Sequence, residues 1–449
     1  MTTIIIIILM VANAFTAAFF VRRFSERRSI IGLVFCAVWS MHYVIGCSLA
    51  LLSSEIAFNL RNFEDFSSYY ILAMLVGQYF IWVYGMLLLR MAPFDGHNII
   101  YSRRAFTPVS AFYLASVFGV VLFAAAIGFG NYFSTAMAEN RANLSVIAGE
   151  GIGIYYYLGS FLMPGTLLIG AYILNHPTRR NLLIALFVIA MALLFLLPLG
   201  GRGRLINIIF ALGMTYFIIR DEFRLSKLIS IRLILGVVGI MGLAYVWGVV
   251  RETSDLTLAS ENTELSAVFS GLAVDLTRLH FQSFIFERYP ISGTYWGTHY
   301  IESLLGPFSK FSPFEPVGLI QELSQSWYFD TIGAFGINSA ISPSFLGEIY
   351  INFGIIGIVV APVAFFGLIY GGYALFGRAH PLSLAVIAFF LQFNMFNGGI
   401  YALFDLLVLC MPILLMNRYV LPRVRLVPLR QELPPDPTAF AQAEPRLAP

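Results

Sequence analysis

Long apolar blocks limit this chain more than any other feature. An α-helix needs about 20 consecutive apolar residues to cross a hydrocarbon core of about 30 Å. Such blocks recur from one end of the 449 residues to the other. In lipid every backbone N–H and C=O must be satisfied within its own segment, so the blocks must be helices. Composition agrees: 59% of residues are apolar and only 11% charged, whereas a soluble domain carries roughly 25% charged residues. The sequence therefore predicts an all-α polytopic membrane protein of about 11 transmembrane helices. The expected spans are 3–20, 30–52, 69–91, 108–130, 153–174, 181–199, 205–220, 233–250, 346–373, 382–397 and 400–417. Residues 1–250 hold the first eight helices, 251–345 one large loop, 346–417 the last three helices, and 418–449 a disordered tail rich in Pro and Ala.

The basic residues orient these spans. Cytoplasmic loops collect Lys and Arg, and with the N-terminus outside about 19 of the 27 basic residues fall inside and about 8 outside. The inside clusters include Arg22/Arg23/Arg27/Arg28, Arg103/Arg104, Arg179/Arg180 and Arg418/Arg423/Arg425, while Glu55, Glu64, Asp65, Glu139 and Glu150 lie outside. This puts the N-terminus outside and the C-terminus in the cytoplasm, the arrangement expected of a multi-pass inner-membrane protein. The first block has no basic start and is followed, not preceded, by its basic cluster, so it reads as a retained helix and not a signal peptide. Cys36, Cys47 and Cys410 sit in apolar spans without metal-like spacing, which suggests neither disulfide nor zinc. The small net charge of +3, carried by loops at one face, suits anionic membrane lipids and not nucleic acid.

The outer loop 251–345 is far longer than a connection requires. Leu265, Val268, Phe269, Leu272, Leu276 and Leu279 recur at helical spacing, which predicts an amphipathic helix over Thr263–Glu287 that packs on the bundle or on the membrane surface. A Gly- and aromatic-rich stretch (Tyr289–Tyr300) and a Pro-rich one (Pro307, Pro313, Pro316) follow. Together they read as an ordered lid, and long ordered loops often carry function.

Several residues in this frame can do chemistry. Gly200–Arg204 is a short outer turn with Arg202 and Arg204 against the charge rule. Its glycines permit close backbone approach, and a guanidinium fork matches phosphate bidentately. The turn is an anion-site candidate, although arginines snorkelling to headgroups explain it equally well. Arg278 and Arg288 flank the later part of the loop helix; Asp275 as an ion-pair partner of Arg278, and a helix C-terminus for Arg288, are the plain explanations. His280 and His299 are candidate proton acceptors by type, yet a lone histidine is usually an ordinary polar residue. Glu348 and Asn352 stand four residues apart on one helix face, and an ionisable group in a span usually faces the protein interior. Asp405 is best read as a structural partner for an outer arginine. Tyr295, Trp296, Tyr300, Trp327 and Tyr328 can stack on sugar rings or anchor at the headgroup level.

Three stretches carry a family resemblance: Gly200–Leu205, Arg288–Tyr295, and Pro343–Gly357 with its Gly347-Glu348 and Asn352-Phe353-Gly354. Over roughly 200–375 the chain resembles the Wzy-type polymerases of O-antigen and capsule repeat units. One departure is Pro307-Phe308-Ser309-Lys310, where relatives often show Pro-Arg, so an arginine role there is absent or passes to Lys310. The resemblance implies a metal-independent glycosyltransferase without cofactor that joins undecaprenyl-diphosphate-linked oligosaccharide units. It further implies a chain-length regulator and a flippase as partners. Electrostatic relief of the leaving diphosphate is then expected from Arg202, Arg204, Arg278 and Arg288. Glu348 is the favoured base, and His280, His299 and Asp275 also qualify by type. The rival readings are an O-antigen ligase, which His299 keeps open, and a carrier or flippase without chemistry, which broken mid-membrane helices would favour.

Overall fold

The computed structural model describes residues 2–48, 67–94, 99–133, 159–196, 202–220, 278–298, 300, 344–398 and 402–425. The expected span 233–250, His299, Asp275, Lys310, Trp327 and Tyr328 lie outside them, as do the side chains of Arg202, Arg204, Arg278, His280 and Asp405.

In chain order the helices are α1 (Thr2–Glu26), α2 (Ile30–Ser40, prolonged by a π-helical turn Met41–Gly46), α3 (Ser67–Leu88), α4 (Phe106–Ile127), α5 (Phe129–Phe133), α6 (Leu162–Asn175), α7 (Arg179–Leu196), α8 (Arg202–Ile219), α9 (Arg278–Arg288), α10 (Ser344–Gly372), α11 (Pro381–Ala385), α12 (Gln392–Gly398) and α13 (Ala402–Leu415). Two three-residue strands, β1 (Ile99–Tyr101) and β2 (Arg423–Arg425), pair antiparallel with Tyr101 opposite Arg423. Among the described residues, five helices are long and apolar enough to cross a membrane, and five shorter apolar helices accompany them. Large side chains such as Leu183, Leu186 and Phe187 stand exposed along them. In water such a surface would be a contiguous apolar patch; against lipid it is the expected exterior. This is an all-α membrane protein.

α1, α2 and α3 pack together and take α9 and α10 against α3. α6 is the centre of a second group with α4, α7 and α8. The closing hairpin joins the two, with α11 on α8, α13 on α6 and α12 on α10. Small residues allow the tight crossings: a Cβ on Gly77 would overlap the Tyr43 ring. Around Phe80 an aromatic cluster gathers Phe345, Phe365 and Phe396 at 5.6–6.3 Å between centroids.

One end of the bundle is rich in arginine and tied by polar contacts. Arg27 donates to the Leu89 carbonyl and Arg423 to that of Ala379. Beneath β1 the His380 ring stacks on Tyr101 at 3.8 Å and 6°. The Tyr101 hydroxyl donates to Asn417 Oδ1, whose Nδ2 reaches Ser383 Oγ at 2.9 Å. His380 Nδ1 accepts from the Leu382 amide, so its Nε2 carries the proton and donates to Asn175 Oδ1 at 3.2 Å. Burial, then the Arg423 charge, pushes the His380 pKa down to about 3. The stretch 418–425, expected in a disordered tail, is thus ordered by the β1 edge and by a buried polar knot.

Candidate functional site

The expected span 346–373 is two segments. Gly354, at φ 60° and ψ −144°, breaks α10, a backbone conformation open essentially to glycine alone. On one side lies a half-helix, 344–353; on the other the span proper begins at Ile355. The half-helix folds back on its successor. Phe345 lies 4.8 Å from Phe365 between ring centroids, whereas a straight helix would hold them about 30 Å apart. A Cβ on Gly357 would meet Ile349 and Phe353. Phe345 also packs on Phe80, thirteen residues or about 20 Å of helix rise from the start of α3. The half-helix therefore runs inside the bundle, with Ser344 through Asn352 all buried.

Breaking a helix orphans its carbonyls and the next amides. The segment 291–297 supplies the partners: Thr294 N donates to Ile351 O (2.7 Å), Trp296 N to Asn352 O (3.0 Å), and Ile355 N to Ile291 O (2.9 Å). Asn352 adds Nδ2 to Glu348 O (2.9 Å) and accepts from Gly297 N on Oδ1 (3.2 Å). Positive φ angles concentrate here, at Gly293, Trp296, Gly297, Ser344 and Gly354. Strain of this kind tends to collect where function requires a fixed geometry.

Glu348 is fully buried in this unit. Tyr300 lies beside it: burial raises the Tyr300 pKa above the usual phenol range, and the Glu348 charge raises it further. Carboxyl, phenol and amide thus share one enclosure. α9 walls it, packed on α3, on α10 and on the π-helical turn of α2. Phe286 meets Tyr350 edge-on at 4.6 Å, and Gln282 accepts from the Tyr43 hydroxyl at 3.1 Å. Of the expected helix 263–287, the described part, α9, lies among the bundle helices, with Leu279 and Phe281 through Phe286 buried; 263–277 lie outside the described residues.

The other candidates are distributed around this unit. Arg278 and His280 fall in the first turn of α9, and Arg288 is exposed at its last residue. Arg202 and Arg204 belong to the first turn of α8 and not to a loop, since the helix opens at Arg202. α8 packs on α6, α7 and α11, so the described contacts do not bring it to Glu348. Trp296 is 63% exposed, free to meet a ligand or a headgroup. Sequence reasoning missed Tyr300 as a neighbour of Glu348 and missed the break itself; the density of glycine at Gly293, Gly297, Gly354 and Gly357 was the available signal. In comparisons with known proteins, no family model, no curated protein and no solved structure matches the chain.

Proposed function

We propose that the chain is a membrane glycosyltransferase that polymerises undecaprenyl-diphosphate-linked oligosaccharide units at the periplasmic face of the bacterial inner membrane. The observation that carries this reading is Glu348, fully buried on a half-helix that the large loop caps. A carboxyl group inside a membrane bundle is costly and is a functional site by default. In the proposed reaction the acceptor sugar hydroxyl attacks the anomeric carbon of the growing glycan. The new C–O bond forms as the bond to diphosphate breaks, and the hydroxyl proton passes to Glu348. The departing undecaprenyl diphosphate takes the electron pair, and Arg202, Arg204, Arg278 and Arg288 are assigned to its charge; for Arg202 and Arg204 this requires an approach to Glu348 outside the described contacts. Eleven spans, with the arginine-rich end in the cytoplasm, complete the reading. Membrane lipids, a chain-length regulator and a flippase are its partners.

A deletion strain tests the class: single repeat units on lipid A in place of long chains support polymerisation, and long polymer stranded on the carrier indicates ligation instead. Glu348→Gln should lower the elongation rate by about 10²–10⁴-fold with the protein still present, the usual worth of a general base. Arg204→Ala should abolish long chains and Arg204→Lys should restore little, because a lysine lacks the bidentate fork. Full activity in Glu348→Gln removes the proposed base.

The break at Gly354 favours a second reading, a lipid-linked oligosaccharide carrier, because carriers build their sites from discontinuous helices. Purified protein in detergent separates the two. A polymerase lengthens lipid-linked units where no second leaflet exists, and a carrier forms no glycosidic bond there.

A further inference from the structure

Four arginines gather at one seam of the arginine-rich end, where the 3₁₀ turn before α4 meets the start of α7. Arg103 and Arg104 lie in that turn, and Arg179 and Arg180 open α7. The Arg180 guanidinium stands 6.0 Å over the ring of Phe106, the first residue of α4. The loops beneath are fixed to each other, with the Tyr101 amide donating to Asn175 Oδ1 at 2.7 Å and His176 Nε2 on the Tyr101 carbonyl at 2.8 Å. All four arginines are exposed. Among the described residues no carboxylate pairs with any of them. Four exposed positive charges on two segments tied to each other favour an anion beside them.

The surface below this cluster is apolar. On α4 the positions one, two and three turns beyond Arg104 are Thr107, Ala111 and Leu114, followed by Phe118. Leu114 and Phe118 are each 62% exposed. On α7, Leu182, Leu183 and Leu186 continue from Arg179 in the same way. At the opposite end α5, which follows α4, is tied to α7, where the Tyr132 hydroxyl donates to the Phe195 carbonyl. Between these contacts α6 packs against both α4 and α7.

We infer that this seam is a binding site for an anionic phospholipid with two phosphates, a diphosphatidylglycerol headgroup, its acyl chains lying on α4 and α7. Each arginine pair faces one phosphate, and the guanidinium fork suits phosphate oxygens. The exposed leucines and phenylalanines match the chains that hang from such a headgroup. The inference is independent of the reaction proposed above.

Native mass spectrometry of the full chain, delipidated in neutral detergent and titrated with diphosphatidylglycerol or phosphatidylcholine, tests it. The wild type should retain diphosphatidylglycerol selectively. The variant R103Q/R104Q/R179Q/R180Q should retain at least about tenfold less. R22Q/R220Q/R378Q/R425Q, which removes equal charge elsewhere on the same end, should lose less than about twofold. Should the four-residue seam variant fail to fold, the pairs R103Q/R104Q and R179Q/R180Q must each weaken retention. Equal loss in both four-residue variants, no loss in the seam variants, or displacement of the lipid by millimolar inorganic phosphate would overturn the assignment.

Discussion

Gly354 holds the candidate site together at the smallest scale. Its backbone angles exclude a side chain, and a Cβ would collide with the Ile291 carbonyl oxygen, the acceptor for Ile355 N. Gly354→Ala should therefore cost about 3 kcal/mol or more, since strain and a lost loop contact act together. A thermal-shift measurement in detergent checks this, and a melting temperature within a degree of wild type would refute the break. His380 makes a second test at this scale. Its folded pKa, about 3, lies below the value of about 6.5 for a free histidine. The unfolded chain then binds the extra proton, so stability is whole above that value and declines as pH falls from about 6.5 towards 3. At pH 5 the loss should be about 2 kcal/mol relative to pH 7. His380→Asn should flatten that slope, whatever it does to stability at neutral pH.

The half-helix 344–353 and α9 are the two elements that the sequence left incomplete. Apolar residues continue unbroken through Gly354-Ile355-Ile356-Gly357, so periodicity alone gives one long helix. The fold-back depends on a non-local event, the docking of 291–297 on the broken end. α9 showed its helical spacing plainly, yet amphipathic spacing does not say whether the partner is lipid or protein. Glu348 was legible by type and position; its neighbour Tyr300 was not, because their meeting requires the break. The fold-back has a direct test. In a background without the native cysteines, Phe345→Cys and Phe365→Cys should cross-link under mild oxidation, and absence of the link would restore the straight helix. The anchoring of α9 is tested by Tyr43→Phe, which strands Gln282 Oε1 in a buried place. That should cost about 1–3 kcal/mol, and the double variant Tyr43→Phe/Gln282→Leu should recover part of the loss in the same melting assay.

For the whole molecule, composition and block length were enough to name the class, because lipid leaves a chain few choices of backbone. The β1–β2 ribbon was invisible to that reasoning: three residues of strand carry no periodicity, and their partners lie far apart in the chain. That distance has a consequence for biosynthesis. Ile99–Tyr101 must wait for Arg423–Arg425 while some 320 residues are made, roughly 15–65 s at ordinary ribosome speeds. The Tyr101 hydroxyl likewise waits for Asn417, its acceptor, which in turn donates to Ser383. A chain cut short before Asn417 would therefore hold its long apolar helices and still leave the Ile99–Tyr101 edge unpaired and the Tyr101 hydroxyl without its acceptor.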